Sequence, residues 1–183
     1  MSTPKIAFLC GSRRTGSINL ALQSALMTRF GDAGATCSEL DIEAYGLPLY
    51  HGDLDLPDGA TRLAADMEAA DGIIIVSPEY NGGLPPVLKN AIDWVSTTGS
   101  QAFRKPYWGI SSCTPGPMSG IMCMRQINYI LMRLGGHVSP VQVGVGLAGQ
   151  AFEDDGGLVA GRSRDLADNL IADMLDRIAR DAD

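Results

Sequence analysis

Lys5-Ile6-Ala7-Phe8-Leu9-Cys10, running directly into Gly11-Ser12-Arg13-Arg14-Thr15-Gly16-Ser17-Ile18-Asn19, is the stretch whose reading decides the fold. The apolar run between Pro4 and Gly11 suits a strand buried on both faces of a parallel sheet, and predicts the first, central strand. From Ser17 onward Leu20, Ala21, Ala25, Leu26 and Phe30 recur at helical spacing, and Gly31 and Gly34 close that element. The opening unit is therefore strand, polar loop, helix.

The same alternation continues outward. Residues 37–42 predict a second, shorter strand, followed by a Pro- and Gly-punctuated loop through Gly59 that holds Tyr45, Tyr50 and His51. Residues 63–70 predict a helix, and residues 72–77 a buried strand that stops sharply at Pro78. A loop over 78–84 leads to Pro85 and Pro86, which a first helical turn tolerates, and Val87, Leu88, Ala91, Ile92 and Val95 mark one apolar helix face. Residues 106–112 predict a strand, 119–134 a helix and 137–145 a last strand. Leu166, Leu170, Met174 and Ile178 mark a final helix. Five strands alternating with helices predict an α/β doubly wound parallel sheet, one domain over residues 1–183. In such sheets ligands lie beyond the carboxyl ends of the strands, so the loops after the first, third and fourth strands are where chemistry is expected.

Bulk properties narrow the function classes. A net charge of −7 argues against nucleic acid or anionic lipid as a broad partner, since both need clustered Lys and Arg. Cys10, Cys37, Cys113 and Cys123 are widely separated and lack any zinc-site spacing, which predicts reduced thiols in a cytoplasmic protein. The run 6–10 is too short for a signal h-region or a membrane span. His51 and His137 stand alone, without a partner pattern for a triad or a metal.

Residues 11–19 join strand to helix, so their amides and the helix N-terminus already favour an anion. Ser12, Thr15 and Ser17 add hydroxyl donors, Asn19 an amide, and Arg13 and Arg14 guanidinium forks. The dinucleotide fingerprint G-x-G-x-x-G fails, because Arg13 stands where a glycine would admit a pyrophosphate. The triphosphate loop G-x-x-x-x-G-K-S/T fails at its lysine, where Ser17 stands. A hydroxyl-rich cradle for one phosphate remains, which favours a mononucleotide.

The loop residues Gly11, Ser12, Arg14, Ser17 and Asn19 match G-S-x-R-x-x-S-x-N, Pro78 to Asn81 match P-E-Y-N, and residues 88–94 match L-K-N-A-I-D-W. With these motifs the chain resembles the NADPH-dependent FMN reductase family, which includes quinone, chromate and azo-dye reductases. The resemblance implies a flavodoxin-like sheet of order 2-1-3-4-5 with helices on both faces. It implies that Ser12, Arg14, Ser17, Ile18 and Asn19 bind the FMN phosphate end, and that Pro78, Glu79, Tyr80, Asn81 and Gly82 border the isoalloxazine ring. Residues 88–94 are expected to be simply a core helix. The chain departs from the family with Gly83 for a common serine, with Pro86 for a common glycine, and at residues 111–120, where Pro115 and Pro117 replace part of a glycine-rich run. Ser112 is assigned to the ring edge.

The activity so implied passes hydride from NADPH or NADH through FMN to a quinone or similar small acceptor by a ping-pong mechanism, with no general acid or base assigned. The alternatives are a flavin reductase that releases reduced FMN, and an electron carrier or flavin-binding protein without turnover. Apolar positions around more than one face of the helix 119–134 predict a subunit contact, and the resemblance implies a homodimer or homotetramer.

Overall fold

A computed structural model describes residues 2–181. Its core is one parallel sheet of five strands: β1 (Lys5–Cys10), β2 (Thr36–Glu39), β3 (Gly72–Val76), β4 (Tyr107–Cys113) and β5 (His137–Val145), in the order β2-β1-β3-β4-β5. That is the order expected of a flavodoxin-like sheet, with the reversal of strand order between β1 and β3. Four helices connect the strands, α1 (Ile18–Asp32), α2 (Asp58–Glu68), α3 (Pro86–Ser96) and α4 (Ile121–Arg133), and α5 (Arg162–Asp181) follows β5.

The period of two along β1 and β3 explains the layers. Ile6, Phe8, Cys10, Ile74 and Val76 point to a core shared with α1 and α5, whereas Ala7, Leu9, Ile73 and Ile75 point to one shared with α2, α3 and α4. Both faces are covered, which is why these strands read as continuous apolar runs. Each fully buried isoleucine of β3 contributes about 1.5–3 kcal/mol of transfer free energy.

The larger departures from the sequence expectation have local causes. The second strand ends at Glu39 and not at Ile42, because the Asp41 carboxylate accepts from Glu43 N–H (3.1 Å) and starts a 3-10 helix over Ile42–Tyr45. Helix α2 begins at Asp58, five residues before the expected Leu63, with extended Pro57 as its lead-in. Gly59 lies inside it because a Cβ there would stand 1.9 Å from the Tyr45 carbonyl oxygen, so this glycine marks a close approach and not a loop. Helix α4 begins at Ile121 because Ser119 and Gly120 both have positive φ, 57° and 71°. No described helix is long and apolar enough to cross a membrane.

Candidate functional site

The loop after β1 stays close to the sheet. Gly11 N–H donates to the Val76 carbonyl (2.9 Å), extending the β1–β3 ladder by one bond, and a Cβ on Gly11 would stand 2.7 Å from Pro85 Cγ. Ser17 caps α1: its Oγ accepts from the N–H groups of Asn19 (3.2 Å) and Leu20 (3.4 Å). With both lone pairs engaged, Ser17 donates its own proton to Ser12 Oγ at 2.9 Å. The Ser12 hydroxyl proton is left to donate elsewhere, and Ser12 lines a cleft.

The two arginines of this loop separate. Arg13 pairs with Glu39 and, at 2.8 Å, with Asp41 at the end of β2. Burial alone would lower its pKa, but the charges of Glu39, Asp41 and Glu43 outweigh that and raise it, so Arg13 is a fixed, already neutralised cation. Arg14 is exposed and forms no ion pair among the described residues. Helix α1 has no acidic residue in its first turn, so its positive end is uncompensated, and the N–H of Ile18 has no partner among the described residues. Ser12 and Arg14 line one cleft, and the unpartnered Ile18 amide stands at the N-terminus of α1, where an anion is favoured.

Asn19 does something else. It is 2% exposed, its Nδ2 donates to the Cys113 carbonyl and its Oδ1 accepts from Cys113 N–H, both at 2.9 Å. Ser111, two residues earlier on β4, accepts from Ser77 N–H beyond the end of β3, so Cys113 faces a place where the sheet has no further strand residue. The Asn19 carboxamide stands in for that missing strand and ties the start of α1 to the fourth strand.

On the ring side, Asn81 (φ 52°) and Gly82 (φ 77°) are the central residues of a tight turn closed by Tyr80 N–H to Gly83 O (2.9 Å) and Gly83 N–H to Tyr80 O (3.0 Å). Two consecutive positive φ values at Asn-Gly are the signature of a type I′ turn. The N–H groups of Asn81 and Gly82 have no partner among the described residues, and Tyr80 is 46% exposed. Pro78 is buried against Gly11. The Glu79 carboxylate points to α4, where Oε2 accepts from the N–H groups of Met122 (2.9 Å) and Cys123 (3.1 Å). Ser112, expected at the ring edge, has its hydroxyl wholly buried against the Cys123 thiol (3.6 Å) and under Gly120. Its side chain supports the third loop from below.

A cleft of about 440 Å³ joins the two ends: Ser12 and Arg14 line one side, Tyr80, Pro85 and Pro86 the other. It lies at the carboxyl ends of β1 and β3, at the reversal of strand order. A depression of about 360 Å³ at the opposite ends of the strands, between Asp71, Lys105 and His137, has no convergent donors of this kind. The donor set fits FMN: one monophosphate at α1, and free amides at a turn for the polar edge of a flat ring.

Residues 88–94 are more than a core helix. Asn90 Nδ2 and Trp94 Nε1 both donate to the Pro48 carbonyl, at 2.9 and 2.7 Å, while Asn90 Oδ1 accepts from Tyr50 N–H at 2.8 Å. They anchor the loop after the 3-10 helix, a role signalled by polar handles on an otherwise apolar helix face. Gln126, absent from the sequence reading, accepts from Leu84 N–H at 3.1 Å. Burial pushes the Cys10 and Cys113 thiols up to about 11, and raises Cys123, so these cysteines are protonated at neutral pH and supply no nucleophile. No cluster of metal-ligating side chains occurs among the described residues.

The chain is 32% identical over 167 residues to an NAD(P)H-dependent FMN reductase of Pseudomonas aeruginosa, covering 88% of each sequence. It is 32% identical over 134 residues to a quinone reductase of Escherichia coli, covering 71% of this chain and 70% of that one. Among solved structures, a flavoenzyme NAD(P)H:acceptor oxidoreductase from Paracoccus denitrificans superposes with a TM-score of 0.85 at 24% identity, over 97% of this chain and 98% of that one, a likeness of fold. The family model described as NADPH-dependent FMN reductase matches residues 4–150, which span all three loops of the site, and the chain belongs to that family.

Proposed function

We propose that the protein is an FMN-dependent oxidoreductase that draws hydride from NADPH or NADH and reduces a quinone or similar small acceptor. The observation that carries this reading is the relay from the α1 amides through Ser17 to Ser12, set beside unpaired Arg14 in the cleft that also contains the Tyr80 turn. When bound, FMN supplies the redox chemistry. Ser12, Arg14 and the Ile18 amide hold its phosphate, with Ser17 acting through Ser12. Asn19 and Ser112 act as supports, and the Asn81 and Gly82 amides donate to the polar edge of the ring. Tyr80 gives the donor and the acceptor a flat wall on which to stack.

One open cleft serves both substrates, so donor and acceptor take turns and turnover is ping-pong. Quinone as acceptor is supported by the Escherichia coli relative's name and by the shallow cleft, which lacks a deep selective pocket. Met122, Tyr129 and Met132 stand exposed along one stripe of α4, which supports a homodimer or homotetramer formed on that helix.

Purified protein is incubated with FMN, gel-filtered, and assayed for NADPH and NADH oxidation with a quinone. Retained FMN and parallel double-reciprocal lines are expected. A rate no higher than that of free FMN without protein refutes the enzyme reading, and FMN lost on the column identifies a flavin that leaves as a substrate.

A further inference from the structure

The type I′ turn of residues 80–83 has few anchors of its own. Asn81 is exposed, Tyr80 is half exposed, and no residue of the turn belongs to either core cluster. Its two internal bonds close the turn but fix its position relative to nothing. Two side chains on either flank do that. Before the turn, Glu79 reaches the Met122 and Cys123 amides. After it, Leu84 N–H donates to Gln126 Oε1, one helical turn further along α4.

Helix α4 is built to receive the first of these. Its cap residue is Gly120 in the left-handed region, with no side-chain cap bond, and its first turn holds no acidic residue. The free amides and the positive helix end are therefore served by a carboxylate from another element. The second contact depends on Gly83, where an added Cβ would stand 3.3 Å from Gln126 Oε1 and press on the carboxamide.

We infer that Glu79 and Gln126 are positioning residues that clamp the 80–83 turn at both ends to the first two turns of α4, and so fix where the Asn81 and Gly82 amides point. The inference rests on the FMN reading of the cleft. It assigns the Glu79 carboxylate to the helix, with the turn amides left to face the flavin. It also makes α4, through its exposed stripe, the element to which the ring side of the site is fastened.

The test uses Glu79→Ala, Glu79→Gln, Gln126→Ala and Gln126→Glu, with Arg14→Ala as comparison. In FMN-free protein, amide exchange at Met122 and Cys123 rises about tenfold in Glu79→Ala, and Glu79→Gln, which keeps one acceptor oxygen, recovers part of the protection. Exchange at Leu84 rises in Gln126→Ala and returns in Gln126→Glu. With flavin, both alanine variants weaken FMN and riboflavin by the same factor and shift the flavin absorbance envelope, whereas Arg14→Ala weakens FMN alone. Unchanged exchange at Met122, Cys123 and Leu84, or unchanged riboflavin affinity and absorbance in both alanine variants, overturns the inference. Wild-type protein that binds no flavin overturns the FMN reading and the ring-facing role with it, while the exchange comparison still reports on the clamp itself.

Discussion

Replacing Asn19 with alanine separates a ligand from a scaffold residue. Its carboxamide makes two 2.9 Å bonds to the N–H and C=O of Cys113, in a place where β3 has already ended and neither group has another partner from that side. Truncation removes both bonds at a site only 2% exposed. Each orphaned buried group costs about 1–3 kcal/mol, and water entering the vacated space recovers part of that, so a net loss of about 3 kcal/mol is expected. For a chain of this size that corresponds to a fall of about 6–12 °C in Tm. Asn19→Asp fails to restore it, because a carboxylate accepts from Cys113 N–H but opposes the Cys113 carbonyl. The assay is thermal and denaturant unfolding of FMN-free protein, with FMN affinity measured well below the transition. An unchanged Tm together with FMN affinity reduced more than about tenfold, the effect expected of a lost phosphate contact, would refute the clamp and return Asn19 to the phosphate.

The remaining predictions concern the same loops. Arg14→Ala weakens FMN binding by about 1.5–3 kcal/mol in a fluorescence titration, as expected for a charge-assisted contact, whereas Arg13→Ala, already paired with Glu39 and Asp41, changes it by far less; equal effects would show that Arg13 leaves its carboxylates. Gly120→Ala destabilises by at least about 2 kcal/mol, through its positive φ and a Cβ 1.9 Å from Ser112 Oγ. Ser112→Ala does not rescue it, because the Ser112 Cβ is itself only 2.5 Å away, and full rescue in a melting curve would contradict this packing. Cys10 and Cys113, raised by burial to about 11, hold their protons more tightly than the unfolded chain at about 8.5. Their stabilisation is complete below about pH 8.5 and is lost as pH rises toward 11. Tm is expected to fall across that window, less steeply in Cys10→Ala, and an identical pH slope in that variant would count against it.

The sheet was legible in the sequence because strands buried on both faces leave unmistakable runs such as residues 6–10 and 73–76. The strand before the 3-10 helix was harder, since an apolar Ile42 looks like a strand end until the Asp41 carboxylate is seen capping the turn. Gly59 misled for a related reason: glycine reads as a loop, but here it admits the Tyr45 carbonyl to a helix. At the site, the contacts made by the expected residues were not readable from the sequence. Asn19 and Glu79 look like ligands in a motif, yet their partners lie 94 and 43–44 residues away, and no local pattern encodes such a contact. By residue type Arg13 and Arg14 are equivalent and only the motif match singles out Arg14; the carboxylates that occupy Arg13 come from the end of β2, brought alongside by the parallel pairing with β1.

The proposed function has the cleft between Ser12, Arg14 and the Tyr80 turn hold FMN as the centre through which NAD(P)H reduces a small acceptor. Its most direct measurement is an anaerobic flavin absorbance experiment on the protein loaded with FMN and separated from free flavin. One FMN per chain is expected, with the flavin band lost on adding one equivalent of NADPH or NADH and restored by one equivalent of quinone. Protein that emerges without FMN, or bound FMN whose band persists with both nicotinamides, would contradict the account.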